Sequence, residues 1–150
     1  MTKCISFTIL GKPMGKARPR VTRRGFAYTP APTVIYENLV KTCFAAEAEK
    51  QHWKMADGEI DVGIHAYFEI PKSTSKNKKL EMMRGNIRPT KKPDWDNIGK
   101  IVCDALNGIA YHDDSQIICA KVKKLYTTNE PYTKVIIIVQ PKESEETDGK

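Results

Sequence analysis

The sequence predicts one α/β domain, of α+β type, built on a mixed sheet of about four strands with helices packed mainly on one face. Two observations carry this. The chain has 150 residues, the length of a single domain whose core buries about 68–70% of the unfolded surface. Two hydrophobic periods alternate along it, a two-residue period at residues 3–10, 60–70, 118–123 and 132–139 and a helical one at residues 33–53 and 98–106. The element order is then β, helix, β, short helix, helix, β, β, which mixes strand directions and leaves helices to cover a face. The domain is expected to span residues 1–140. Residues 141–150 carry a run of acids and read as a disordered tail.

Each element has its own warrant. Residues 3–10 alternate around Ile5, Phe7 and Ile9 and form a first strand. Residues 11–28 hold glycines, prolines and arginines with no apolar period, so they read as a loop or loose hairpin. Pro30 and Pro32 mark a boundary, after which Tyr36, Leu39, Val40, Cys43 and Phe44 recur at helical spacing and predict a helix over residues 33–53 with that stripe in the core. Asp57-Gly58 turns the chain into a strand over residues 60–70, with Ile60, Val62, Ile64, Ala66 and Phe68 on one face and His65 on the other. Pro71 ends it. A short helix over residues 73–84 follows, begun by Ser73 or Ser75 and stopped at Gly85. Ile98, Ile101, Val102, Ala105 and Leu106 fall at i, i+3, i+4, i+7 and i+8, a full amphipathic stripe, with Asp96 or Asn97 as N-cap and Asn107-Gly108 as the stop. Ile118, Ala120 and Val122 alternate with Cys119, Lys121 and Lys123 as a half-buried strand, residues 127–131 turn, and residues 132–139 form a last strand rich in β-branched side chains.

Composition narrows the function classes. No apolar run approaches the roughly 18 residues of a membrane span, and the first residues alternate and lack a small-residue cleavage site, so a cytoplasmic location is expected. Cys4, Cys43, Cys103 and Cys119 form no C-x-x-C pair and stand at no zinc spacing from His52, His65 or His112. They read as reduced, mostly buried thiols, His65 as a surface or packed residue, and His112 as a loop residue. The net charge of +7 favours an anionic partner, and it is banked in two segments. Lys12, Lys16, Arg18, Arg20, Arg23 and Arg24 lie in the first. Lys76, Lys78, Lys79, Arg88, Lys91 and Lys92, with Lys72 and Arg84, lie in the second. Pro19 restricts the backbone between Arg18 and Arg20 and lowers the cost of ordering two guanidinium forks on phosphate. The lysines of residues 73–84 read as a basic arm over a nucleic acid.

The second basic segment runs straight into acids. Asp94 follows Pro93 in extended backbone, so Asp94 and Asp96 can face the same way, while the helical stripe sets Asn97, Lys100 and Asp104 together on another side. N-capping, worth about 1 kcal/mol, accounts for one aspartate at a helix start. It leaves the others among Asp94, Asp96, Asp113 and Asp114 unexplained. If the strand after Asp114 runs beside the segment before Asp94, the two pairs meet at one edge of the sheet. Like charges so placed repel unless a cation joins them, and a hard divalent ion, Mg²⁺ or Mn²⁺, is the natural one. Gly99, which costs about 1 kcal/mol against alanine inside a helix, suggests a close approach to the backbone. A calcium loop is excluded, because Ile98 and Ala105 stand where oxygen ligands are required. Metal held by acids and flanked by phosphate-binding bases points to phosphodiester hydrolysis. Lys100 can pair with Asp104 on the helix surface, or reach a scissile phosphate.

The run KPDWDNIGKIVCDALNGIAYHDDSQI closely resembles the signature of the RusA family of Holliday junction resolvases, found in prophages and bacteria, and GKPMGKARPR is similar to that family's basic N-terminal segment. The resemblance implies a RusA-like fold and Mg²⁺-dependent paired nicking of four-way DNA junctions by a homodimer. By it, Asp94, Asp96 and Asp114 are metal-binding and catalytic, Lys100 is the essential lysine, and Asp113 is a supporting acid in the metal set. Asn97 and Asp104 support them. Two other functions stay open at this point: a nucleic-acid-binding module without catalysis, and a metal nuclease acting on forks, flaps or RNA.

Overall fold

The structure, a computed structural model, describes residues 3–141. The expected acidic tail therefore lies, apart from Pro141, outside the described residues. Strand β1 (Lys3–Leu10) buries Ile5, Phe7 and Ile9 and exposes the residues between them, as its period requires. The basic loop that follows contains a small hairpin, β2 (Arg20–Val21) with β3 (Ala27–Tyr28). Helix α1 (Ala31–Gln51) starts two residues earlier than expected. Pro32 sits in its first turn, where a missing N–H costs nothing. The central strand β4 (Ile60–Glu69) buries Ile60, Val62, Ile64 and Ala66. Helix α2 (Lys76–Met83) is capped by the Ser75 hydroxyl, which accepts from the Lys78 N–H at 3.4 Å. Helix α3 (Trp95–Ala105), a 3₁₀ turn (Asp114–Gln116), β5 (Ile117–Thr127) and β6 (Tyr132–Val139) complete the order.

The sheet runs β1-β6-β4-β5, with β6 antiparallel to both β1 and β4 and β5 parallel to β4. It is mixed and four-stranded, as the periodicity predicts. Helix α1 packs on β1, α3 on β5, and the two helices touch. The core thus lies between one face of the sheet and α1 with α3, centred on Phe44, Ile64, Ile101, Leu106, Tyr111 and Ile137. Among the described residues no helix is long and apolar enough to cross a membrane.

Four expectations are corrected. Leu39 is 39% exposed rather than core, because the buried stripe of α1 runs through Thr33, Tyr36, Val40 and Phe44. Ile118 is 59% exposed. The register of β4 and β5 slips between Ile60 and Asp61, whose partners are Ile117 and Cys119, so Ile118 is the extra residue of a bulge. Ala120 is exposed as well, since β5 is an edge strand and Gly99 of α3 faces Val122, further along it. Of the four free thiols, Cys103 is buried and Cys43 half-buried, but Cys4 and Cys119 are exposed on outward strand positions. Finally, the N-cap of α3 is Asp94, not Asp96 or Asn97. Asp94 is extended after Pro93, and its carbonyl accepts the first helical bond from the Ile98 N–H at 3.1 Å.

Candidate active site along helix α3

The stripe of α3 buries Ile98, Ile101, Val102 and Ala105 and so fixes where the polar residues point. Asp94, Asp96 and Lys100 are exposed; Asn97 and Asp104 are half-buried. Asp96, Lys100 and Asp104 stand at i, i+4 and i+8, a row with about 6 Å of helix between successive members. Asp94 occupies the cap position, yet its side chain makes no capping bond. Its carboxylate is accordingly left available. Gly99 faces β5, where a methyl would meet Val122 Cγ2 at 3.4 Å, an ordinary van der Waals contact that does not by itself require glycine.

The basic N-terminal loop is docked against this helix. A Cβ on Gly15 would come within 2.9 Å of Pro93 Cβ and 3.1 Å of Asn97 Cβ, so only glycine fits. The next residue, Lys16, donates its N–H to the Asn97 carbonyl at 2.9 Å. Its ammonium then reaches Glu37 on α1 at 2.9 Å and Asp104 at 3.5 Å. Burial pulls this ammonium down, but Glu37 and Asp104 outweigh it and hold Lys16 above the ordinary lysine value. Lys16, expected to bind phosphate, is thus engaged within the fold. Asp104 pairs with Lys16 rather than with Lys100, and among the described residues Lys100 makes no ion pair.

The second acidic pair is built by the loop after α3. Tyr111 is fully buried and donates its hydroxyl to the Cys103 carbonyl at 2.7 Å, which pins the loop to the end of the helix. Gln116 accepts from the His112 and Asp113 N–H groups at 2.8 and 3.0 Å and donates to the Ala56 and Gly58 carbonyls, both at 3.0 Å. Asp113 caps the 3₁₀ turn by accepting from the Ser115 N–H at 3.1 Å. Hydrogen bonds from Ser115, side chain and backbone, hold Asp113 below the ordinary carboxylate value. Asp114 goes the other way. Burial, the charges of Asp113 and Asp104, and a hydrogen bond to Asp104 keep its carboxyl above that value. His112 is occupied by Asp57, Nε2 to Oδ1 at 2.8 Å, as a loop residue.

The two acidic pairs do not meet in the way the sequence suggests. Strand β5 pairs with β4 rather than with the segment before Asp94. Asp114 is close enough to Asp104 for the charge of Asp104 to help hold the Asp114 carboxyl high, while Asp94 and Asp96 lie toward the other end of α3, about 15 and 12 Å along its axis from Asp104. Among the described residues no three His, Cys, Asp or Glu side chains stand close enough to hold a metal ion. Asp104 and Asp114 do offer two hard oxygen donors in one place, with mutual repulsion that a cation relieves. That fits Mg²⁺, which binds through one or two carboxylates and keeps several waters for exchange with phosphate. Sequence spacing underweighted Asp104. Its place in the i, i+8 row from Asp96 was the available signal, whereas nothing in the sequence pointed to Glu37.

The remaining basic candidates are on the surface. Lys12 follows β1, Arg18, Arg20, Arg23 and Arg24 lie on the loop and its hairpin, and Lys76, Lys78 and Lys79 lie on α2, which buries no residue. Arg88, Lys91 and Lys92 are exposed on the approach to Asp94. Lys124, on β5, donates to the Lys91 carbonyl and ties that approach to the sheet.

The family model of the endodeoxyribonuclease RusA matches residues 11–138. The chain is also 38% identical over 141 residues to the uncharacterized protein YqaN of Bacillus subtilis (strain 168), an alignment covering 89% of this chain and 95% of that relative.

Proposed function

The chain belongs to the RusA endodeoxyribonuclease family, and from that premise we propose that it is a Mg²⁺-dependent endodeoxyribonuclease resolving four-way (Holliday) DNA junctions in recombination and repair. The reaction is paired, symmetric hydrolysis of two phosphodiesters. It is carried out by a cytoplasmic homodimer, since two symmetric nicks in a two-fold substrate call for two sites related the same way.

The observation that carries this reading is the row on α3, where Lys100, which makes no ion pair among the described residues, stands between Asp96 and Asp104, the residue whose charge acts on Asp114. Asp114 and Asp104 would hold Mg²⁺, or Mn²⁺ in its place, with Asp94 and Asp96 as the further acids of the reaction. When bound, the ion supplies Lewis-acid stabilisation and lowers the pKa of water. Lys100, one helical turn from the acids on either side, meets the charge that develops on the phosphoryl oxygens. Asp113 shapes the turn that presents Asp114. Asn97 holds the N-terminal loop through its carbonyl. Arg18, Arg20, Arg23 and Arg24 on one side, and Lys76, Lys78, Lys79, Arg88, Lys91 and Lys92 on the other, bind the DNA backbone, with Lys12 beside Asp94.

A cleavage panel tests the proposal. With Mg²⁺, four-way junctions are expected to receive paired symmetric nicks, while fork, flap, duplex, single strand and RNA are cut slowly or not at all. Preferential cleavage of forks, flaps or RNA would replace the junction assignment. Cleavage of none would remove the nuclease one.

A further inference from the structure

Three neighbouring clefts follow one end of the sheet, where β1, β4 and β5 finish and β6 begins. The first, of about 320 Å³, lies between the N-terminal loop and the start of α3 and is walled by Lys12, Lys16 and Lys92 beside Asp94. The second, of about 250 Å³, shares Lys12 with the first and continues past Phe68 and Pro131 to Glu69. The third, also of about 320 Å³, shares Glu69 with the second and is walled by Lys72, Lys79, Thr74, Thr127 and Thr128. The topology links them. The Gly11 N–H donates to the Pro131 carbonyl at 3.0 Å, and Glu69 pairs with Thr127 across β4 and β5.

The lining is that of a polyanion site. Lys16 is committed to Glu37 and Asp104. Among the described residues Lys12, Lys72, Lys79 and Lys92 make no ion pair. The acids on the walls are Asp94 at one end and Glu69 in the middle. Threonine hydroxyls at the far end are ordinary donors to phosphate oxygens. Phe68 gives the middle cleft an aromatic wall, with the Lys124 ammonium 5.6 Å from its ring centre. A cationic groove interleaved with an aromatic is how proteins follow a single strand. The clefts are small beside a duplex, whose major groove alone is about 12 Å wide.

We infer that these clefts form a track for an unpaired strand of nucleic acid, leading from Asp94 past Lys12 and Phe68 to Lys72 and Lys79. The inference rests on the nuclease reading and adds to it a path and a strandedness. It brings in Lys72, Thr127 and Thr128, which the charge pattern alone did not single out as contacts.

The test needs no cleavage. Wild type and the Lys72→Ala variant are compared in EDTA by fluorescence anisotropy, with labelled oligothymidylate and a duplex of equal length, across a series of salt concentrations. Each lost phosphate contact on a single strand makes the log K against log salt slope shallower by about 0.7. The variant is therefore expected to lose about 0.7 of slope on oligothymidylate and to match wild type on the duplex. An unchanged slope on the single strand overturns the track, and so does an equal loss on both probes, which would mark a generic basic surface. Lys72 is exposed, and a matching melting temperature confirms that the variant is folded. Failure of the nuclease reading is a separate result, absence of cleavage with Mg²⁺, and leaves this binding outcome readable.

Discussion

The two ends of α3 are built differently. At the N-terminal end Asp94 and Asp96 are exposed, and Asp94 makes no side-chain capping bond. At the C-terminal end Asp104 and Asp114 are half-buried, drawn together, and braced by Lys16 on one side and by the Tyr111 and Gln116 anchors on the other. The first end is open to solvent. The second stores repulsion between carboxylates, which only a rigid surround can maintain. One amphipathic helix thus supplies both, because its buried stripe fixes the direction of every polar residue on it.

Substitutions separate the two ends, and the largest effect is expected at the braced one. Asp114→Asn keeps the shape and removes the charge. Junction cleavage should fall by about 10²- to 10³-fold, the scale of losing one preorganised transition-state group, while junction binding in EDTA holds. Cleavage near the wild-type rate would move the chemistry to Asp94 and Asp96. A second variant attacks the brace. Gly15→Ala places a methyl 2.9 Å from Pro93 Cβ, an overpacking expected to cost about 1–3 kcal/mol and to lower the denaturation midpoint. An unaltered midpoint would mean that the N-terminal loop is not clamped to α3.

The smallest effect belongs to the opposite face of the sheet. Burial first, then Lys123 and Lys134, keeps His65 below its ordinary pKa of 6.5. As pH falls through 6.5 the unfolded chain takes up this proton before the folded one does, so stability present above that pH is lost below it. His65→Gln should therefore flatten the decline in melting temperature between about pH 7 and pH 5. The same decline in both proteins would show that His65 titrates alike folded and unfolded.

Much of the scaffold was legible because periodicity is local. Ile5, Phe7 and Ile9 announce β1, and Ile98, Ile101, Val102 and Ala105 announce α3, without reference to anything distant. The errors fall where tertiary context decides. Leu39 has the right residue type but the wrong angle on α1, and Ile118 is displaced by a bulge whose cause lies in its pairing with β4. The site follows the same division. The acids and Lys100 stand out as residues, but the contact of Asp104 with Asp114 depends on a loop pinned by Tyr111, and its brace depends on Lys16 and Glu37, far away in sequence.

The account turns on whether the braced end of α3 is a cation seat. Thermal unfolding in rising Mg²⁺ measures that directly, since a ligand bound only by the folded state stabilises it by about 2.7 kcal/mol at one hundred times its Kd. Wild type is predicted to show a saturable rise in melting temperature that Asp114→Asn abolishes. An identical rise in the two proteins would contradict it.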